Sequence, residues 1–223
     1  MTRTAVVLWF ITPMAASSAI MPEIVAAVGD LVDEGGSLRF AVRSAHAVDE
    51  GADFYSPQVV AAAGIIAEEA GRVLAPEPVV ALVGLAIGLL RRLCPDHALL
   101  PAALTGRTVL ATAWQERNTK NLSDALSCRF TNRTLTGAKS WVAGTAGASG
   151  ILVVAEAGGG PVLTLVDLAA KGVSIDKRRQ SDGSILAELH LSRAPAELLA
   201  EGPAVAKALA AAVSETTALA AAE

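Results

Sequence analysis

Hydrophobic and polar positions along this chain follow two different periods, one in each half. From about Met21 to Leu104, alanine-rich segments carry apolar residues at helical spacing. This spacing predicts three helices, over residues 24–32, 57–74 and 79–93. Pro76 and Pro78 predict a break between the second and third helices, because proline lacks an amide proton and constrains its predecessor. The first half is therefore expected to be helical.

From Arg107 onward the apolar positions recur with a period of two, which predicts short strands between turn residues. Leu126, Cys128 and Phe130 alternate with polar neighbours, as one face of a strand does. We predict seven strands, over residues 107–115, 124–131, 139–143, 151–156, 162–168, 172–177 and 185–191. After Pro195 the pattern becomes helical again. Many short, regularly spaced strands favour a barrel or a sandwich.

The two periods together predict an α+β protein with three parts. An N-terminal helical domain is expected over residues 1–105, and a small β-barrel or sandwich domain over 106–197. The start of a C-terminal helical bundle is expected over 198–223, where Gly202-Pro203 would open a helix. A chain of 223 residues with 52% hydrophobic residues can bury a substantial core.

Composition excludes several classes of protein. A net charge of −4 argues against a nucleic-acid partner, because phosphate binding needs a clustered excess of lysine and arginine. The basic run Lys177-Arg178-Arg179 is expected to be a solvated strand end. Cys94 and Cys128 are too few and too far apart for a disulfide framework, so we expect both to be small buried hydrophobes.

Two apolar segments could be mistaken for membrane or secretion signals. Residues 4–20 follow Arg3 and end in small residues, as a signal peptide does, but their apolar stretch is short and Pro13 interrupts it. We therefore expect a cytoplasmic protein, with secretion as the alternative. Residues 79–90 fall short of the roughly 20 apolar residues that a spanning helix needs. A buried helix is the better interpretation, so no membrane association is expected.

Several short motifs occur in an order that resembles the acyl-CoA dehydrogenase family. The segment Glu-Glu-Ala-Gly-Arg at 68–72 and the Leu-Pro pair at 100–101 are similar to family segments that precede the β-domain. Trp114-Gln115-Glu116 stands where many members have a Thr-Glu pair. Residues 137–144 resemble the family motif Gly-x-Lys-x-Trp-Ile-Thr. The resemblance covers about residues 65–223.

This resemblance implies a flavoprotein whose cofactor is FAD. It places Trp114, Gln115 and Glu116 along the pyrimidine edge of the flavin and Trp141 against the isoalloxazine ring, where a large π-surface supplies contact area. The same strand would bring Val142 and Ala143 to the cofactor, although Ala143 replaces a common threonine. The other interpretation of Trp141 is an ordinary buried tryptophan of a barrel.

The chemistry implied is α,β-desaturation of an acyl-CoA thioester, with hydride transfer to FAD and electron-transfer flavoprotein as the oxidant. The resemblance places the catalytic carboxylate beyond Glu223, so no catalytic residue is assigned to this chain. The loop over residues 117–124 also lacks the glycines usual in the family. We expect a homo- or hetero-oligomer. The alternative is a non-catalytic or degenerate subunit with a structural role in a dehydrogenase complex.

Other chemistries have little support in the sequence. Cys94 and His97 lack the second pair of ligands that structural zinc takes. His190 alternates with Leu189 and Leu191, which predicts an exposed or half-buried strand position. The glycines at 144–150 stand between two predicted strands, whereas a dinucleotide fingerprint leads into a helix.

Overall fold

A computed structural model describes most of the second half of the chain. The described residues are 67–68, 80–104, 107–119, 121–122, 124–181 and 183–222. Residues 80–103 and 108–216 belong to one compact unit. The helix predicted over 24–32, most of that over 57–74 and most of the N-terminal domain lie outside the described residues.

The helix predicted over 79–93 is confirmed in its described part. A π-helical segment, Ala81–Ile87, continues directly into an α-helix, α1, Gly88–Leu93. Leu89 and Leu90 are fully buried, as the apolar pattern requires. The following link contains a short helix, α2, Leu99–Leu104, which the sequence did not predict. Pro101 lies in its first turn, where a missing amide proton costs no helical hydrogen bond.

The last helix, α3, Pro203–Ala222, begins at the predicted Gly202-Pro203 step. It approaches the π-helical segment closely: a Cβ on Gly84 would lie 2.2 Å from Oγ1 of Thr216. Arg92 of α1 forms a part-buried ion pair with Glu215 of α3. Residues 203–221 are long and apolar enough to cross a membrane, a property that core helices of soluble proteins share.

Eight strands form one sheet in the order β6-β7-β3-β2-β4-β5-β8, and β1 pairs in parallel with β4. The bounds are β1 Leu110–Ala113, β2 Arg129–Thr131, β3 Thr134–Ala143, β4 Gly150–Ala157, β5 Gly160–Asp167, β6 Val173–Arg179, β7 Ile185–Pro195 and β8 Glu197–Glu201. The other pairs are antiparallel, except that β2 meets β4 in parallel at Arg129 and Glu156.

The mixed α+β class is confirmed, but of the predicted barrel or sandwich the closed barrel is not formed, because β6 and β8 end the sheet without pairing with each other. A barrel closes only when its end strands are bonded, and β6 instead exposes most of its residues. The sheet still curls, since β1, β3, β4, β5 and β7 all contribute side chains to one buried cluster. The result is an open sheet that curls around this cluster.

Several predicted elements differ from the structure, among them β1, which is shorter than predicted, and β7, which extends to Pro195. The strand predicted over 124–131 is reduced to β2, because the amides of Ser127 and Cys128 donate to the carboxylate of Glu116 and not to a neighbouring strand. β3 begins at Thr134, earlier than predicted. β8 lies where the sequence predicted a return to helix after Pro195, and that prediction is wrong over Glu197–Glu201, because the backbone there pairs with β5.

Candidate functional site

A buried ion pair lies at the centre of the region that carries the motifs. Nζ of Lys139, on β3, donates to Oε1 of Glu116 at 2.8 Å, and the side chains are 0% and 5% exposed. Oε1 also accepts from the amide of Cys128 at 3.0 Å. Oε2 accepts from both the amide and the hydroxyl of Ser127. Every oxygen of this carboxylate therefore has protein donors.

Burial and hydrogen bonding act in opposite directions on this pair. Burial alone would raise the pKa of Glu116, but the donors from Lys139, Ser127 and Cys128 outweigh it and lower the pKa to about 2. Burial lowers the pKa of Lys139, and the bond to Glu116 opposes that change. Burial also raises the pKa of the Cys128 thiol to about 11. Cys128 is therefore a poor nucleophile at neutral pH.

The segment after β1 runs beside β3, which brings the two groups of predicted cofactor residues together. The amide of Ser140 donates to the carbonyl of Gln115 at 2.9 Å. Nζ of Lys139 also lies 3.4 Å from the carbonyl of Trp114. Trp114 and Gln115 are half-buried, whereas the Glu116 side chain points into the protein. The backbone of Glu116 is also bonded within the protein, because its amide donates to Oγ1 of Thr119 at 3.0 Å and its carbonyl accepts from Thr119.

Trp141 is not the buried barrel tryptophan of the alternative interpretation. Its side chain is 54% exposed. It lies in a β-bulge between Lys139 and Val142, with a φ of 60° that non-glycine residues rarely adopt. The bulge turns Trp141 outward while Val142 points into the core and Ala143 is half-buried. A strained bulge that exposes a large aromatic ring is typical of a binding surface.

An open pocket of about 410 Å³ lies beside this segment. Glu188 of β7 organises its floor: Oε2 accepts from the hydroxyl of Ser140 at 2.8 Å and Oε1 from Nη2 of Arg117 at 3.1 Å. The lining residues are Glu116, Arg117, Asn118, Ser127, Ala138, Ser140, Asp176, Arg178, Glu188 and His190. The cavity is thus polar and charged, with its arginines paired to carboxylates.

The glycine-free loop after Glu116 is held by hydrogen bonds of its own. The Thr119 amide and hydroxyl both bond to the carbonyl of Glu116, at 3.1 and 2.9 Å. Arg117 then crosses to Glu188 as described above. Glycines in this loop would let its backbone approach a ligand closely. Here the bonds of Thr119 and Arg117 fix the loop instead.

Sequence reasoning missed Lys139, Ser127 and Glu188 as members of this site. The burial of Lys139 could have been predicted from the sequence, because it shares the inward phase of β3 with Leu135. A buried lysine needs a partner charge. Glu188 gave none, since its role depends on how β7 pairs with β3. The His190 prediction is confirmed: it is exposed between two buried leucines.

Among the described residues, no group of three or more potential metal ligands comes together. Cys94 and His97 make separate contacts: Sγ of Cys94 lies 3.8 Å from the carbonyl of Leu199, and Nε2 of His97 lies 3.6 Å from Glu197. Both cysteines are free, Cys128 buried and Cys94 half-buried. Cys94 therefore matches the expected small buried hydrophobe only in part.

Comparison by sequence matches no protein-family profile and no curated protein. Comparison of structures gives clear similarities. A variant of the Tcur3481-Tcur3483 steroid acyl-CoA dehydrogenase is 28% identical, with a TM-score of 0.60 over 72% of this chain and 45% of that chain. A glutaryl-CoA dehydrogenase from Mycobacterium smegmatis in complex with FADH2 is 18% identical, with a TM-score of 0.66 over 87% of this chain and 58% of that one.

The ChsE4-ChsE5 complex from Mycobacterium tuberculosis is also similar, at 21% identity and a TM-score of 0.62 over 91% of this chain and 53% of that chain. The chain therefore spans about half the length of the solved structures that it matches. Two of these similar structures are complexes named for two different chains.

Proposed function

Because the chain belongs to the acyl-CoA dehydrogenase family, we propose that it supplies the flavin-facing wall of an FAD-dependent dehydrogenase of acyl-CoA thioesters. One observation carries this proposal. Trp141 has a positive φ and an exposed indole, and it directly follows Ser140, whose amide donates to the carbonyl of Gln115. Trp141 and Gln115 are residues that the sequence assigns to the two contact edges of a flavin.

The described residues suit a flat, partly polar heterocycle. Trp141 would cover one face of the ring system and exclude water from it. The Gln115 side chain can donate and accept hydrogen bonds at a polar ring edge, and Trp114 and Glu116 would lie along that edge on either side of it. Val142 and Ala143 would shape the strand beneath. When bound, FAD supplies the acceptor for a hydride, and the protein orients it.

We assign the acyl-CoA substrate to the same side of the sheet as Trp141. The polar pocket beside Ser140 and Glu188 supports this assignment, because a thioester with a long polar carrier needs hydrogen-bonding groups along its path. Electron-transfer flavoprotein is the proposed oxidant of the reduced cofactor. The proposed location is the cytoplasm, without a membrane or nucleic-acid partner.

A second candidate function is a non-catalytic subunit that completes a heteromeric dehydrogenase. Two observations favour it. The similar structures include complexes of two chains, which supports an oligomer. The loop after Glu116 is also closed by Thr119 and by the Arg117 pair with Glu188, so it has less freedom to wrap a substrate. In this case the chain would bind flavin or support a partner without turning over acyl-CoA.

The test is a flavin titration of the purified protein followed by anaerobic addition of acyl-CoA. The proposal expects a stable yellow protein whose flavin absorbance bleaches with acyl-CoA. Yellow protein that does not bleach favours the non-catalytic subunit, and protein that binds no FAD contradicts both flavin roles. Trp141→Ala should weaken FAD binding at least tenfold. Leu198→Ala is the matched control, since Leu198 is another exposed large apolar residue on β8.

A further inference from the structure

We propose that Lys139 and Glu116 form a positioning pair, which fixes the two flavin-contact segments relative to each other. This inference rests on the proposed function and assigns a role to two residues that need not touch the cofactor. Glu116 ends the segment after β1, and Lys139 lies on β3 two positions before Trp141. The pair therefore connects the two contact edges through the interior of the protein.

The contacts of Lys139 show how the connection works. An ammonium group has three donors, and those of Lys139 reach Oε1 of Glu116 at 2.8 Å and the carbonyl of Trp114 at 3.4 Å. The Lys139 side chain is fully buried, so water does not replace either contact. The Lys139 side chain, on β3, thus holds the backbone of Trp114, which lies in the segment after β1.

The strained bulge depends on the same anchor. Lys139 is the last residue of β3 in regular register with β7 before the bulge, and the register resumes at Val142. A residue at positive φ persists only where its surroundings determine the backbone on both sides. Lys139 provides the fixed point on one side and the buried Val142 provides it on the other. Trp141 is exposed between them.

A role in stability alone does not account for this choice of residues. Burying two charges costs desolvation energy, and well-packed apolar residues often serve stability equally well. A charge pair additionally fixes the relative orientation of its two side chains, because each hydrogen bond requires a defined geometry. Glu116 collects donors from Lys139, Ser127 and Cys128, so it joins β3 and the approach to β2 at one point.

Lys139→Met is the decisive variant. It leaves the Glu116 carboxylate with the Ser127 and Cys128 donors, so the fold should survive, but it releases the carbonyl of Trp114. We expect the dissociation constant for FAD to rise at least tenfold. We also expect shifted flavin absorption bands at saturating FAD, which a general loss of stability would not produce. Lys207→Met is the matched control, because it makes the same substitution at an exposed position of α3 outside the pocket and should change the constant less than twofold.

A flavin-free measurement separates this inference from the proposed function. In a Trp9→Phe background, only Trp114 and Trp141 emit, and Lys139→Met should increase the quenching of their fluorescence by acrylamide. If the parent protein binds no FAD, the proposed function fails and the quenching alone decides whether the pair positions the indoles. A folded Lys139→Met protein with unchanged quenching and FAD affinity overturns the inference.

Glu116→Gln keeps the test decisive if Lys139→Met does not fold. The amide retains the shape and one acceptor oxygen but removes the charge that holds Lys139. We expect a smaller effect in the same direction, about threefold to fivefold in FAD affinity, with increased quenching. Affinity and quenching equal to those of the parent protein would overturn the inference.

Discussion

The amide of Ser140 donates to the carbonyl of Gln115 at 2.9 Å, outside any regular strand ladder. This bond places the backbone of Gln115 next to the strand residue that precedes Trp141. The β-bulge then turns the indole to the outside of the sheet.

Replacing Trp141 should separate binding from stability. Trp141→Gly removes the strain of a positive φ and should stabilise the protein by about 0.5–1 kcal/mol relative to Trp141→Ala, which keeps that strain. Both variants lose the indole and should bind FAD equally weakly. Thermal unfolding and a flavin titration of the two proteins check this. A glycine variant less stable than the alanine variant would contradict the assigned strain.

Stability should depend on pH through Glu116. Its pKa is about 2 in the folded protein against an ordinary value of 4.5, so folding favours the ionised carboxylate. This stabilisation is complete above about pH 5 and is lost as the pH falls towards 2, a change on the order of 3 kcal/mol. Denaturant unfolding between pH 2 and 6 measures it. Glu116→Gln should flatten the profile, and identical slopes in both proteins would refute the assignment.

Gly137 should not tolerate a side chain. It has a φ of 145°, and a Cβ there would lie 2.7 Å from the Cα of Cys128, a backbone atom that cannot move aside easily. Gly137→Ala should destabilise the protein by about 3 kcal/mol. Gly158→Ala is the control, because a Cβ there meets nothing within 4 Å, and it should stay within about 0.5 kcal/mol. Equal effects of the two substitutions would show that the contact is not tight.

Removing the Glu188 side chain should lower the free energy of unfolding more than removing the Arg117 side chain. The side chain of Arg117 is 67% exposed, so Arg117→Ala should cost less than about 1 kcal/mol. Glu188→Ala leaves the hydroxyl of the buried Ser140 without its acceptor and should lower the free energy of unfolding by about 1–2 kcal/mol. Chemical denaturation of both single variants and the double variant measures their coupling. An Arg117 effect larger than that of Glu188 would contradict this ranking.

The sequence predicted those strands whose signal is local. β4 is a continuous apolar run before a glycine-rich turn, and both features stand in adjacent residues. β8 could not be predicted in this way, because Leu198 and Leu199 break the alternation. Its strand conformation follows from pairing with β5, a partner far away in the chain. For the same reason the sequence did not predict that the sheet stays open, because closure of a barrel depends on whether its two end strands pair.

The candidate site was predictable in its surface residues and not in its interior. The motif around Trp141 indicated a cofactor contact, and the structure exposes that residue. The carboxylate of Glu116 was expected to face a ligand, yet it turns inward to Lys139. This inward orientation requires the segments of Glu116, Cys128 and Lys139 to meet in the folded protein. The spacing of these residues along the chain does not predict it. The cofactor assignments themselves stay predictions until flavin binding is measured.

The placement of β6 at one end of the sheet has a consequence for solubility. A terminal strand presents unpaired amides and carbonyls that could recruit the same strand of another molecule into a fibril-like stack. Lys177, Arg178 and Arg179 occupy its exposed end, where like charges would repel an approaching copy. Such a basic run would disfavour edge-to-edge stacking of two copies.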